Sequence, residues 1–101
     1  MSGPLRHNRN TRDANERELV QTAERLGACW REAPPLDGLC WVPRLGKWMP
    51  VEIKLPEREG LSGEYTPAQR QFLAWCERNH APHWVWRTIQ DVMRDLGVAN
   101  I

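Results

Sequence analysis

The sequence predicts a mixed α/β fold, in which helices pack against a small β-sheet. Segments with the apolar spacing of an amphipathic helix alternate with short segments rich in aromatic and β-branched residues. The chain has 101 residues, enough for one hydrophobic core and too few for two. The expected order of elements is helix, strand, strand, strand, helix, strand, helix, which gives a mixed sheet flanked by helices.

Three helices are predicted from their capping residues. Asp13 caps the first in a D-x-x-E variant of the capping box with Glu16, and Thr66 caps the second in a T-x-x-Q box with Gln69. Thr88 opens the third helix. Glu16 and Gln69 therefore each have a structural role, and the sequence leaves open whether either residue also acts in a functional site.

Four strands are predicted in "GACWRE", "LCWV", "WMPVEIK" and "HWVWR". If the second and third form a hairpin that turns about Arg44 and Leu45, Asp37 lies opposite Glu52. A register shift of two residues would pair Asp37 with Lys54 instead. Either register brings an acidic turn residue close to the polar face of the third strand.

The polar face of that strand carries both Glu52 and Lys54, because side chains alternate along a strand. Carboxylates of Asp37 and Glu52 that lie close together repel one another, and a Mg²⁺ ion, which prefers oxygen ligands, would offset that repulsion. A lysine beside the ion can hold or deprotonate a water. The simpler interpretations are a solvated strand face for Glu52 and Lys54, and a turn-forming role for Asp37 before Gly38.

The motif "PLDG", followed after thirteen intervening residues by "EIK", resembles the signature of the PD-(D/E)XK nucleases. The segments "NERELVQTAERLG", "LSGEYTPAQRQF" and "HWVWRTIQDV" resemble VRR-NUC nucleases and archaeal-type Holliday-junction resolvases within that superfamily. "VWRT" stands where VRR-NUC proteins have Val-Arg-Arg. The likeness implies a restriction-endonuclease-like fold and Mg²⁺-dependent hydrolysis of DNA phosphodiester bonds, with Mn²⁺ as the alternative ion.

The resemblance also implies roles for individual residues. The metal ligands would be Glu16, Asp37, Glu52 and the main-chain carbonyl of Ile53. Asp37, Glu52, Lys54 and Gln69 would be the catalytic residues, with Lys54 activating the attacking water and Gln69 orienting a ligand, water or phosphate. By the same likeness the substrate would be branched or junction DNA, the enzyme a homodimer, and its source a phage or a bacterial mobile element.

Residues 1–12 are predicted to form a basic flexible arm, and residues 13–101 a single nuclease domain. The arm carries Arg6, Arg9 and Arg12 and no acidic residue, so it is a candidate for contacts with DNA phosphates, the alternative being a solvated terminus. It lacks the apolar core of a secretory signal, and no apolar run is long enough for a membrane helix. The expected location is the cytoplasm, that of the host if the chain is phage-encoded.

Two other classes of function fit parts of the sequence. One is a non-catalytic nucleic-acid-binding module of the same fold. The other is a zinc-stabilised interaction protein that uses Cys76, His80 and His83, although this spacing is a poor match to structural zinc sites. The three cysteines are otherwise expected to be reduced thiols. The tryptophans Trp75, Trp84 and Trp86 are expected to fill the core.

Overall fold

A computed structural model describes the backbone of residues 3–97 and the side chains of residues 14–97. The helices are α1 (Gly3–Arg25), α2 (Pro67–Arg78) and α3 (Ile89–Asp95). The strands are β1 (Cys29–Glu32), β2 (Gly38–Val42), β3 (Lys47–Ile53) and β4 (Trp84–Trp86), and a short 3-10 helix covers Pro56–Arg58. The strands form one mixed sheet in the order β1-β2-β3-β4, antiparallel except for the parallel pair β3 and β4. The mixed α/β class is thus confirmed.

The first helix begins earlier than its capping pattern predicted. α1 starts at Gly3 rather than after Asp13. Pro4 lies in the first turn, where a helix tolerates proline, and no glycine or proline follows before Gly27, so no strong helix breaker interrupts that stretch. The predicted DNA contacts in the arm lie outside the described side chains and stay predictions; they are Arg6, Arg9 and Arg12.

The hydrophobic core lies between one face of the sheet and the helices α1 and α3. Alternate residues of β2 and β3 are buried there, as the two-residue period of a strand requires. The cluster comprises Leu19, Ala23, Ala28, Cys40, Val42, Met49, Val51, Ile53, Trp86 and Val92. We call the sheet face that bears these side chains the inner face and the opposite one the outer face. Trp48, Pro50 and Glu52 alternate with the core residues of β3 and lie on the outer face, where Glu52 is also buried.

The β2–β3 hairpin has the predicted register. Gly38 pairs with Val51, and Trp41 pairs with Trp48. Continuing that register by one residue beyond Gly38 places Asp37 opposite Glu52. The hairpin therefore brings the two acidic residues together at the end of the sheet away from its turn.

Gly38 begins β2 beneath an indole ring. A β-carbon at this position would collide with the ring of Trp30 and would lie 2.7 Å from the carbonyl oxygen of Arg31. The Trp30 ring in turn stacks on Trp86, with their centroids 6.1 Å apart. Glycine is required here because another strand approaches closely, in addition to any role in the turn.

The helix α2 begins as predicted but buries fewer residues than its apolar spacing suggested. Its buried residues are Gln69 and Cys76, two turns apart on one narrow stripe. Trp75 is 48% exposed, so its assignment to the core was wrong. One residue before Cys76 is about 100° away around the helix, which takes Trp75 off that stripe. Trp86 is fully buried as expected, and Trp84 is half-buried.

The cysteines are not cross-linked. Cys29 is exposed, Cys40 and Cys76 are buried, and all three are free thiols. Burial raises the pKa of Cys40 to about 11, so this thiol stays protonated at neutral pH. Within the described residues, no helix has the length and apolar character needed to cross a bilayer.

Candidate functional site

Asp37 and Glu52 are held together by each other's main chain. The amide of Asp37 donates to Oε1 of Glu52 across 3.0 Å. The amide of Ile53, next to Glu52, donates to Oδ2 of Asp37 across 2.7 Å. Both carboxylates are thus oriented by rigid backbone at the end of the sheet, rather than by mobile side chains.

Lys54 is the first residue after β3 and lies beside this pair. Oxygen atoms surround its ammonium group. Nζ lies 2.9 Å from Oε2 of Glu52, 2.6 Å from the carbonyl oxygen of Glu64 and 3.1 Å from Oε1 of Gln69. It also lies 4.7 Å from the centroid of the Tyr65 ring. An ammonium has three N–H donors, and three oxygens are within reach of them. The side chain of Lys54 ties β3, the following loop and α2 together.

Glu52 is a fully buried carboxylate with one oxygen that lacks a directed hydrogen bond. Its exposed fraction is 0%, and Oε2 accepts no hydrogen bond from any group in the described part of the chain. The ammonium of Lys54, 2.9 Å from Oε2, is the ion-pair partner of this carboxylate.

Burial raises the pKa of Glu52 from 4.5 to about 7. That value is the net of several effects: the charge of Asp37 also raises the pKa, while Lys54 and the hydrogen bond from the Asp37 amide lower it. Ionisation of a buried carboxyl group beside a second carboxylate costs free energy. A bound cation would offset that cost.

Gln69 is both a helix cap and a member of the site. Its backbone N–H donates to Oγ1 of Thr66, and its Oε1 accepts from the Thr66 amide, which completes the capping box. The same Oε1 accepts from Lys54, while Nε2 donates to the carbonyl oxygen of Pro35 across 3.2 Å. The two alternatives that the sequence left open for Gln69 are therefore compatible. Its amide joins the start of α2 to the turn that carries Asp37.

Glu16 lies on α1, half-buried, and the side chain before it reaches the end of β3. Asn15 Nδ2 lies 3.5 Å from the carbonyl oxygen of Lys54. Among the side chains that the structure describes, no three or more His, Cys, Asp or Glu residues are grouped to hold a metal ion. The role of Glu16 as a further ligand beside Asp37 and Glu52 stays a prediction. The same finding gives no support to a zinc site at Cys76, His80 and His83.

Sequence reasoning missed a second ion pair, between Arg87 and Glu64, next to Lys54. Arg87 Nη1 contacts Oε2 of Glu64 and donates to the carbonyl oxygen of Leu55 across 3.1 Å. The pairing with Arg87 lowers the pKa of Glu64 below its usual value. Glu64 lies in a glycine-containing loop, where no periodic sequence pattern indicates which side chains point into the protein. Only the proximity of Arg87 to the end of a strand could have suggested a partner.

An open cleft lies beside this ion pair. Its volume is about 460 Å³. Its lining residues are Pro56, Glu59, Tyr65, Val85, Arg87, Thr88 and Asp91. The lining combines Arg87 with the acidic residues Glu59 and Asp91, so the cleft does not favour a ligand of one charge sign.

Comparison of the chain with protein-family models, with curated proteins and with solved structures found no match in any of the three. The chemistry of the site therefore rests on its own donor atoms. These are the carboxylates of Asp37 and Glu52, oxygen donors that suit Mg²⁺ or Mn²⁺ rather than a thiolate-preferring metal. The buried Oε2 of Glu52, without a directed hydrogen bond, fits a position that a hard cation could take.

Proposed function

We propose that the chain is a Mg²⁺-dependent endonuclease that hydrolyses DNA phosphodiester bonds, within a restriction-endonuclease-like fold. The observation that carries this proposal is the pairing of Asp37 and Glu52 in front of the Lys54 ammonium, with Oε2 of Glu52 lacking a directed hydrogen bond. The raised pKa of Glu52 supports the same proposal.

The roles of the chain's own residues follow from these contacts. Asp37, Glu52 and the carbonyl of Ile53 would hold the ion, which when bound stabilises charge on the phosphate and lowers the pKa of a water. The amides of Asp37 and Ile53 keep the carboxylates oriented. Lys54 would exchange one of its three oxygen partners for the attacking water, and Gln69 would hold the ammonium during that exchange. The water oxygen bonds to phosphorus as the bond from phosphorus to the 3′ oxygen breaks, and the proton lost by the water ends on that leaving oxygen.

Branched or junction DNA is the proposed substrate, and a homodimer the proposed form that grips it. Both parts of the proposal follow from the resemblance of "PLDG" and "EIK" to the PD-(D/E)XK signature. The arm would add phosphate contacts through Arg6, Arg9 and Arg12.

The second candidate is a nucleic-acid-binding module that does not cleave. Two observations favour it: Glu52 is closed to solvent, and the ammonium of Lys54 already has three oxygen partners. In that case the network would be a structural tie between β3, the loop and α2, without a catalytic ion.

The test compares cleavage of labelled four-way junction, flap, nicked and plain duplex DNA, with Mg²⁺ or Mn²⁺, by the wild type and by Glu52→Gln. Glutamine keeps the shape and the acceptor oxygen, so the variant should fold. Glu77→Gln, an exposed change on α2, is the matched control. The nuclease proposal requires cutting by the wild type and the control and none by Glu52→Gln. Absence of cutting by the wild type, with binding intact, would leave the binding module.

A further inference from the structure

The outer face of the β2–β3 hairpin carries a pair of tryptophans, of which Trp48 is exposed and Trp41 is half-buried. Trp41 and Trp48 are partners in the register, with ring centroids 5.6 Å apart and ring planes inclined by 59°. Trp48 is 45% exposed. A single exposed aromatic residue is ordinary, but two rings that pack against one another are preoriented as a surface. The pair offers apolar ring surface that nothing in the described part of the chain fully covers.

The tryptophan pair and the candidate site share one face of one strand. Trp48 and Glu52 are both outer-face residues of β3. Four residues of extended strand span about 13 Å, which is about the rise of four stacked nucleotides. A DNA strand with a phosphate near the half-buried Asp37, opposite Glu52, could therefore place a base against Trp48.

A cation lies on the same face. Trp30 packs against the core, so its neighbour Arg31 points to the outer face and is exposed. Arg31 pairs with Leu39, two residues from Trp41 on the adjacent strand. Such diagonal neighbours are about 7–8 Å apart, within reach of a long side chain. The face thus combines an aromatic surface with positive charge, the combination that binds single strands.

We infer that Trp41 and Trp48 form a stacking platform for unpaired bases, with Arg31 contacting the backbone phosphate. The substrate would then carry a single-stranded DNA segment beside the bond that is cut, as a flap does, because duplex DNA keeps its base faces stacked. The placement of this segment next to the scissile bond rests on the proposed nuclease function. The binding of unpaired bases does not.

The test measures binding without cleavage. Fluorescein-labelled oligothymidylate and a blunt duplex of equal length are titrated with protein in EDTA, and affinity is read from fluorescence anisotropy. Trp48→Ala should weaken oligothymidylate binding about ten-fold, the loss expected for one base–aromatic contact, and Trp48→Phe should retain most of the affinity. Trp75→Ala is the matched control, because Trp75 is similarly exposed at 48% and lies on α2. It should leave the affinity unchanged.

Three results would overturn the inference. These are no binding of oligothymidylate by the wild type, equal losses for Trp48→Ala and Trp75→Ala, and conversion of a dimer to a monomer by Trp48→Ala. The last would mean that a second copy of the chain covers the pair. Failure of the nuclease proposal looks different: oligothymidylate binding would still depend on Trp48, but no DNA would be cut with Mg²⁺. Cutting of flap DNA that is unaffected by Trp48→Ala would remove only the placement of the unpaired segment beside the scissile bond.

Discussion

The amide of Asp37 donates to the side chain of Glu52, while the carboxylate of Asp37 accepts from the amide that follows Glu52. Neither carboxylate can rotate without breaking a bond made by the other residue's segment of chain. The pair therefore acts as one unit in stability and in any ion binding.

The stability of the chain should fall as the pH rises from about 4.5 to about 7. Glu52 has its folded-state pKa raised from 4.5 to about 7, so the folded chain binds the proton more tightly than the unfolded chain does. The stabilisation is present below the unfolded pKa and lost as the pH rises through the folded pKa, by about 3 kcal/mol in all. Urea unfolding in EDTA across this range measures it.

Glu52→Gln should remove that component of the pH dependence, because glutamine does not titrate. The exposed change Glu77→Gln should keep the wild-type slope. If the wild type and Glu52→Gln have parallel stability curves across this pH range, burial does not raise the pKa of Glu52.

Mg²⁺ should stabilise the folded chain at neutral pH through Asp37 and Glu52. At about ten times its Kd, the ion adds about 1.4 kcal/mol to the free energy of unfolding. The gain should shrink below the pKa of Glu52, because protons then compete with the ion. Thermal unfolding with and without Mg²⁺ measures the effect, which should be absent from Asp37→Asn and Glu52→Gln. An equal shift in all three proteins would indicate binding elsewhere.

Lys54→Met should lower the free energy of unfolding by about 3–5 kcal/mol, since it leaves Glu52 buried without its cationic partner. Lys47→Met, an exposed change on the same strand, should cost little. The double variant Glu52→Gln/Lys54→Met should lose less stability than the sum of the two single changes, because it removes both charges. Additive losses in urea unfolding would mean that the two charges do not interact.

Gln69→Ala should destabilise the chain by about 1–3 kcal/mol. The amide of Gln69 serves Thr66, Lys54 and Pro35, so its loss leaves several polar groups without a partner. Gln71→Ala, on an exposed position of the same helix, should change the stability by less than about 0.5 kcal/mol. Chemical denaturation of both variants measures the difference. Equal effects would show that the contacts of Gln69 contribute nothing.

The parts of the fold that follow local rules were predictable from the sequence. The register of Gly38 with Val51 follows from the alternation of apolar residues and the position of the turn. The capping box of α2 follows from the order of Thr66, Pro67 and Gln69. The proximity of Asp37 and Glu52 follows from the β2–β3 register alone.

The contacts that depend on tertiary placement were not predictable in this way. The exposure of Trp75 depends on how α2 lies against the rest of the chain, and its apolar spacing alone suggested burial. The inward turn of Glu64 toward Arg87 depends on the path of a loop. The start of α1 at Gly3 was missed because a favourable cap at Asp13 does not prevent a helix from beginning earlier.

The indole of Trp30 above Gly38 makes these two positions interdependent under selection. A side chain at Gly38 would require the ring to leave and would still lie 2.7 Å from the carbonyl oxygen of Arg31, so a smaller residue at position 30 should relieve only part of the cost of Gly38→Ala. Asp37 immediately precedes this contact, so a compensated pair of changes would also shift the acidic residue. In a library randomised at both positions, functional clones should therefore retain the original glycine and tryptophan together.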